Sequence, residues 1–594
     1  MAGRLSLHLD PAFGSSSIHY FKSSKERRWI FPESGHLLTA SHETVRSGSL
    51  QLQKATLRLT AAKGKNISLL LQLQPHHWYG GSELLKQRWP LEKQRVGLSP
   101  YLSQAQWAGK WGSVQERYWL SSAGMAITAA EKAPIWLALN TTHAHFLAAI
   151  PNSPYANTAS SGEQAWLELS FWKPTVKVSL AQLHLAMVDV YLGKPSATPD
   201  LRLFSQPIWS TWVRYGKAVN WKMVLNLTQE IVARGFPRGQ VEIDDRWAEK
   251  EGDLEGARAK FPSLRNLTGQ LRSLGFRSSL WVHPFANLDS RTAQEAAFRQ
   301  FWVQNASGVP GSVSWWDGEA FLLDATNQRA ADWFVERLKT FRKDAGLDSF
   351  KFDAGEAYWL PENFRLANAT SPIQYSEAWM KKVVRRLGGL VEGRVGSRSQ
   401  SCPVFLRFLD RDSIWSADNG LASLIPTTLT LGMLGYPFLL PDMIGGNGEA
   451  SRELFIRWVQ ANALLPAFQF SLPPWSFGED VSNHTLELLA LRAGLKDKLE
   501  RLAKEAASTG APIVRPSWWS GDESEEALTA WDQFLLGNNL LVAPVLTPAT
   551  LQKSVYLPEQ GSRWRNNLDG QIYRGGQRID VNADLFQLPT FTKL

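Results

Sequence analysis

Several short apolar runs in this sequence end in a carboxylate. GQVEIDD ends in Asp244 and Asp245, AFLLDA carries Asp324, and DSFKFDAGE holds Asp353 and Glu356. CPVFLRFLD ends in Asp410, with Asp412 two residues on, and YPFLLPD ends in Asp442. The 11 histidines show no HExxH or similar ligand pair, so these acids do not read as part of a metal site. Five strand-end acids without a metal point to carboxylate chemistry on a neutral, hydroxyl-rich substrate. Glycoside hydrolysis is such a chemistry, using two acids about 5 Å apart for retention or ~6.5–9.5 Å apart for inversion. The competing reading makes each Asp a helix N-cap, which is common in βα loops. It explains any one of these acids well and all five together poorly.

Acids of this kind need a scaffold that gathers strand ends. From Ile208 onward short apolar strands alternate with helical patterns. The strand candidates are PIWSTWV, GQVEIDD, RSSLWVHP, AFLLDA, DSFKFDAG, CPVFLRFLD and YPFLLPD. NWKMVLNLTQEIVARGF, LRNLTGQLRSLGF and QRAADWFVERLKTFRKDAG read as helices, each with a glycine at its C-terminal end. Roughly eight such units predict a (β/α)8 TIM barrel over residues 206–507, with its site at the C-terminal ends of the strands. Residues 1–205 carry QLQKATLRLT, ISLLLQLQ and KVSLAQLHLAMVDVYLG, alternating patterns that predict an N-terminal β-sandwich. GKPSATPDLRLFSQP reads as the linker. Residues 508–594 return to short strands, as in DQFLLGNNLLVAPVL, KSVYLP and QIYRGGQRIDV, and predict one or two C-terminal β-sandwich domains. The fold class expected is therefore α/β.

Composition narrows the function classes. The net charge of +9 is spread along the chain without a run of five basic residues, which gives no support to nucleic-acid binding. The one cysteine, Cys402, excludes an internal disulfide and a thiolate zinc site. The 27 Trp suit either large cores or platforms for sugar rings. Seven N-x-S/T sequons, at Asn66, Asn140, Asn226, Asn266, Asn305, Asn368 and Asn483, favour the secretory pathway, ER lumen or exterior. The first thirty residues hold no apolar run long enough for a signal peptide. Either an anchor or signal lies outside this chain or the sequons are unused. Residues 421–441 are uncharged and nearly span-length, but their three prolines favour a buried helix feeding a buried strand.

At these residues the chain resembles glycoside hydrolase family 31, within it the branch of myogenesis-regulating glycosidases and SITS-binding proteins. The strongest match is Phe350-Lys351-Phe352-Asp353-Ala354-Gly355-Glu356, which is similar to the family's nucleophile segment. IWSTWVRYG (208–216), EIDDRW (242–247), WDGEAFLLDATN (316–327), RVGSRSQ (394–400), LGYPFLLPDMIGG (434–446) and DQFLLGNNLLVAPVL (532–546) follow in the family's order. The resemblance implies retaining hydrolysis of α-glycosides, with Asp353 as nucleophile. Lys351 lies two residues earlier on the same strand face, where an ammonium would hold Asp353 ionised.

The family usually carries W-x-G-D at its acid/base, whereas this chain reads LRFLDRDSIWSADNG. Sixteen positions beyond Arg394, the implied sugar-binding arginine, stands Asp410, the preferred acid/base because it ends the apolar strand. Such an acid needs a raised pKa. Asp412 is the second candidate, or else orients a hydroxyl or pairs with Arg411, and Asp418 is the third. Asp244 and Asp245 match the acid that grips ring hydroxyls. Trp316 is expected to stack on the sugar, Trp281 to form a second wall, and Asp442 to stand behind the pocket. Residues 78–81 (WYGG) resemble a loop that reaches over the barrel. Gln469 stands where many members have histidine, and the branch is associated with α-galactosides. The resemblance therefore implies an α-galactosidase, with an α-glucosidase or α-xylosidase as alternative. A weakly catalytic glycan-binding protein and a structural partner in the secretory pathway remain as other classes. The expected partner is a carbohydrate, no cofactor is implied, and self-association is left open.

Overall fold

The computed structural model describes residues 7–9, 27–31, 36–105, 110–149, 154–155 and 164–594. Eight parallel strands close into a barrel: β1 (Ile208–Ser210), β2 (Gln240–Ile243), β3 (Arg277–Val282), β4 (Ser349–Phe352), β5 (Glu392–Gly393), β6 (Phe405–Arg407), β7 (Leu439–Leu440) and β8 (Gln469–Phe470). Closure occurs at β7. Leu439–Leu440 pairs with β6, the chain breaks at Pro441 and Asp442, and Met443–Ile444 then pairs with β8. Asp442 takes a positive φ of 58°, and Pro441 lacks the N–H that a continuous ladder would use.

The helices begin and end where their side chains supply the missing hydrogen bonds. Asn220 caps the helix Trp221–Ala233 by accepting from the N–H groups of Lys222 and Met223. Asn327 does the same for Gln328–Ala345, which ends on left-handed Gly346. The uncharged stretch at 421–441 forms the helix Leu424–Met433, with all ten residues buried, and then runs into β7. Among the described residues no helix is long and apolar enough to cross a membrane.

Two segments differ from the sequence reading. AFLLDA is not a barrel strand. Gly318–Leu322 pairs antiparallel with Ser312–Trp315 and Phe285–Asn287 in a small separate sheet. The places it would have filled belong to β5 and β8, which at two residues each are too short to leave a periodic signal. KVSLAQLHLAMVDVYLG contains no strand. It forms the helix Leu180–Met187, started by a capping box in which Ser179 and Gln182 satisfy each other's backbone.

The N-terminal region packs a seven-stranded sheet on a five-stranded one. Leu38, Leu59 and Leu169 of the first share a core with Leu69, Leu137 and Phe146 of the second. The C-terminal region has a six-stranded sheet and the hairpin-like pair Gln552–Leu557 with Gln577–Asn582. The strand Gln115–Ser121 docks the N-terminal region on the barrel: Gln115 N donates to Gly396 O, and Glu116 accepts from Arg398 N and the Tyr436 hydroxyl.

Candidate active site

The segment KFDAGE turns sharply as it leaves β4. Ala354 and Gly355 both have positive φ, at 54° and 97°. A Cβ on Gly355 would lie 2.2 Å from Trp379, so only glycine fits there. The turn sets Asp353 into a nest of donors. Its Oδ1 accepts from Arg394 Nη1 at 2.8 Å, Arg407 Nη2 at 2.9 Å and its neighbour Ala354 N at 3.0 Å. Its Oδ2 accepts from Trp281 Nε1 at 3.0 Å. Burial would raise this carboxyl, but Arg394, Arg407, Lys351 and the Trp281 bond together hold it well below the ordinary carboxylate range.

Asp410 shares both arginines. Arg407 Nη1 lies 3.0 Å from its Oδ1 and Arg394 Nη1 lies 3.6 Å from the same atom. Because Arg394 Nη1 touches both carboxylates, Asp353 Oδ1 and Asp410 Oδ1 can be no further apart than those two contacts laid end to end, about 6.4 Å. Asp410 is partly open to solvent, with a fifth of its side chain exposed, whereas both arginines are buried. Asp412 is exposed and its side chain joins neither arginine. Asp418 is tied to Arg88 and Lys86 of the N-terminal region.

Lys351 is not on the nucleophile. Its Nζ donates to Glu242 Oε1 and Asp244 Oδ2, both at 2.8 Å, on the barrel floor. Burial opposes the charge of Lys351, but Asp244 and Glu242 more than offset it, so the ammonium persists. Gln469 completes this floor by donating to Glu242 at 3.0 Å and is itself buried. Glu392 is pushed up to about 8 by burial and by the charge of Glu242. Asp442 is pushed up to about 7 by burial and by Asp410. It accepts from Arg411 N at 2.9 Å behind the acid pair.

Trp281 is buried and holds Asp353 by its indole N–H, rather than presenting a free face. Trp316 is partly exposed and is braced edge-on by Trp359 at 5.4 Å. Asp324 is structural: its Oδ1 accepts from Thr326 N and its Oδ2 from Ala367 N. Asp245 converges with Glu251 and Asp317 within 4.8 Å. Lys217 and Arg246 pair with Asp317, so two cations already sit among these acids, and His283 Nε2 lies 3.0 Å from Glu251 Oε2. Burial, then Asp317, Glu251 and Asp244, push Asp245 up to about 8, which makes it a hydrogen-bond donor at neutral pH. The WYGG segment lies in the strand Trp78–Ser82, where the Tyr79 hydroxyl donates to Leu528 O of the C-terminal half.

The glycosyl hydrolases family 31 TIM-barrel domain model matches residues 204–499, and the family's C-terminal domain model matches residues 510–594. The mouse myogenesis-regulating glycosidase is 38% identical over 538 residues, covering 87% of this chain and 74% of that protein. The chain belongs to glycosyl hydrolase family 31. The SITS-binding protein of Tetronarce californica is 27% identical, covering 84% of this chain and 71% of its own length. A family 31 sulfoquinovosidase from E. rectale superposes with a TM-score of 0.77 at 18% identity, over 96% of this chain and 88% of that one, which speaks for the fold.

Family membership makes the chain a glycoside hydrolase by descent and brings out its departures. Arg407 stands three residues before Asp410, at the spacing of the Trp in W-x-G-D. Sequence reasoning passed over it because an arginine inside an apolar strand looks like a surface-edge residue. It also missed Glu83, a buried N-terminal residue whose Oε1 accepts from Leu409 N at 2.9 Å and Arg411 Nη2 at 3.0 Å, on either side of Asp410. The only signal for Glu83 was its place two residues after the WYGG segment.

Proposed function

We propose that this chain is an exo-acting retaining α-glycosidase with a preference for α-galactosides. Asp353 is the nucleophile and Asp410 the acid/base. What carries this reading is the shared contact with Arg394, which keeps the two carboxylate oxygens within about 6.4 Å. An upper limit of that size on one pair of oxygens favours the ~5–5.5 Å spacing of a retaining site over the ~6.5–9.5 Å that leaves room for an attacking water in an inverting one. In the first step the bond from C1 to the aglycone oxygen breaks, that oxygen takes the proton of Asp410, and Asp353 bonds to C1. In the second, water attacks C1, its proton passes to Asp410, and the ester electron pair returns to Asp353.

Asp244 and Asp245 follow β2 at the same end of the barrel and suit ring hydroxyls as acceptor and donor respectively. Trp316 offers an aromatic edge or face to the sugar. Asp442 holds the backbone of Arg411, and Asp412 stands at the rim. The galactoside preference rests on the resemblance to one branch of the family. Relatives that include an alpha-glucosidase of Bacillus thermoamyloliquefaciens and an alpha-xylosidase of Emericella nidulans make those sugars the second reading. Hydrolysis of aryl α-galactoside, α-glucoside, α-xyloside and α-mannoside by wild type and Asp353→Asn tests both points. Turnover of one sugar, lost in the variant, is the expected result. Binding without turnover of any would instead make this a glycan-binding relative. Six of the seven sequon asparagines are exposed and Asn305 is partly so, which suits a glycoprotein of the secretory pathway. Mass measurement before and after glycosidase treatment of protein from a secretory host tests that reading.

A further inference from the structure

The two oxygens of Asp353 are unequal. Among the described residues Oδ1 accepts three donors, two of them guanidinium groups, while Oδ2 accepts only the Trp281 indole N–H. The second guanidinium is Arg407, 1% exposed, at the end of β6. Its Nη2 is on Asp353, its Nη1 is on Asp410, and its Nε lies 3.4 Å from Glu392. Charge-assisted bonds of this kind stabilise the ionised carboxylate selectively. A carboxylate so stabilised is a weaker nucleophile and a better leaving group.

We propose that Arg407 is a further catalytic residue, one that sets the balance between the two half-reactions by favouring release of the sugar from Asp353. The proposal rests on the retaining mechanism above. With Oδ1 saturated by donors, Oδ2 is the atom that bonds to C1, and Oδ1 becomes the carbonyl oxygen of the ester. When C1–Oδ2 breaks, the returning electron pair spreads onto Oδ1, where Arg407 and Arg394 already point. The donors are in place before the charge appears, so that no reorganisation is required at the moment of reaction. In the first half-reaction the same contacts oppose attack, because they stabilise the charge that Asp353 must give up. Removing one guanidinium therefore leaves the first step intact or faster and slows the second.

The test is transient kinetics of full-length wild type, Arg407→Met and Arg407→Lys on an activated aryl α-glycoside, whose leaving group needs little protonation from Asp410. The product anomer of the wild type is read alongside. The expected result is retention by the wild type and a burst of about one aryl alcohol per site in Arg407→Met. In that variant kcat falls at least tenfold and KM falls with it, so that kcat/KM moves less than about threefold. A sugar adduct on the Asp353 peptide accumulates. Arg407→Lys shows a smaller burst and a smaller loss, and stands in should the Met variant fail to fold. An unchanged rate in the variants, or kcat and kcat/KM falling together without burst or adduct, overturns the role of Arg407 while leaving retention standing. Inversion by the wild type overturns both.

Discussion

The ends of β4 and β6 hold their carboxylates in opposite ways. Asp353 follows its strand directly, and its partners Trp281, Arg394 and Arg407 all come from barrel strands or their first residues beyond. Asp410 lies three residues past β6, on a segment gripped from outside the barrel. Glu83 of the N-terminal region takes Leu409 N and the Arg411 side chain, Asp442 takes Arg411 N, and Asn419 donates to Asp410 O. A nucleophile must be held to a fraction of an ångström, and a rigid barrel does that alone. The acid/base segment instead depends on contact between two domains. Damage to that contact should harm protonation of the leaving group and spare attack.

The largest expected effect breaks the barrel-held half. Asp353→Asn should lower kcat on the order of 10^4-fold or more with the circular dichroism spectrum preserved, and should lower the unfolding temperature because it removes the anion shared by buried Arg394 and Arg407. Rates near wild type would remove Asp353 from the chemistry. Next, Asp410→Ala should lose about 10^2–10^4-fold on substrates with poor leaving groups and far less on activated ones. Asp412→Ala should cost less than about tenfold on either kind, and the reverse order would exchange the two aspartates.

Glu83→Gln sharpens the comparison. It removes the anion that faces buried Arg411, a change of the kind that costs about 3–5 kcal/mol in folding. Its expected catalytic signature is a loss of roughly tenfold or more, confined to poor leaving groups. An equal loss on activated substrates would mean that Glu83 also supports the nucleophile.

The smallest effect concerns a second contact between the outer domains. His77 bonds Glu92 through Nδ1 and Glu525 of the C-terminal half through Nε2. The Glu92 bond raises its pKa, burial opposes this, and Glu525 adds to the rise. A raised folded pKa means that the stabilisation is fully present below the unfolded value of about 6.5 and is lost as pH rises through the folded value. The unfolding temperature of His77→Gln should therefore fall below wild type by about 1–2 °C at pH 5.5 and converge on it by pH 9. A gap that widens with pH would refute the ionic part of this contact.

The same contrast explains how far the sequence could be read. KFDAGE lies on a continuous strand–turn whose apolar alternation and glycine are local signals, and the structure puts Asp353 at the centre of the ion cluster. LRFLDRDSIWSADNG offered three aspartates with similar local credentials. Choosing among them needs Arg394 from the end of β5 and Glu83 from a stretch more than 300 residues away. Lys351 was legible as a neighbour of Asp353, but its hydrogen-bond partners Glu242 on β2 and Asp244 just beyond it were not, so the ammonium acts on Asp353 through its charge and not by direct contact. AFLLDA misled because apolar strands look alike whether they join a parallel barrel or a small antiparallel sheet.

Residue order alone determined the alternation of strands and helices, the caps that start and stop them, the glycine after Asp353 and the family. These follow from backbone preferences and side-chain periodicity over a few residues. Tertiary structure alone decided which two-residue segments close the barrel, that two arginines bridge the acids, and that an N-terminal glutamate holds the segment carrying Asp410. Those outcomes depend on buried charges seeking partners across the fold. A buried ion is stable only where its counter-ion arrives, and the chain brings them together only when it closes.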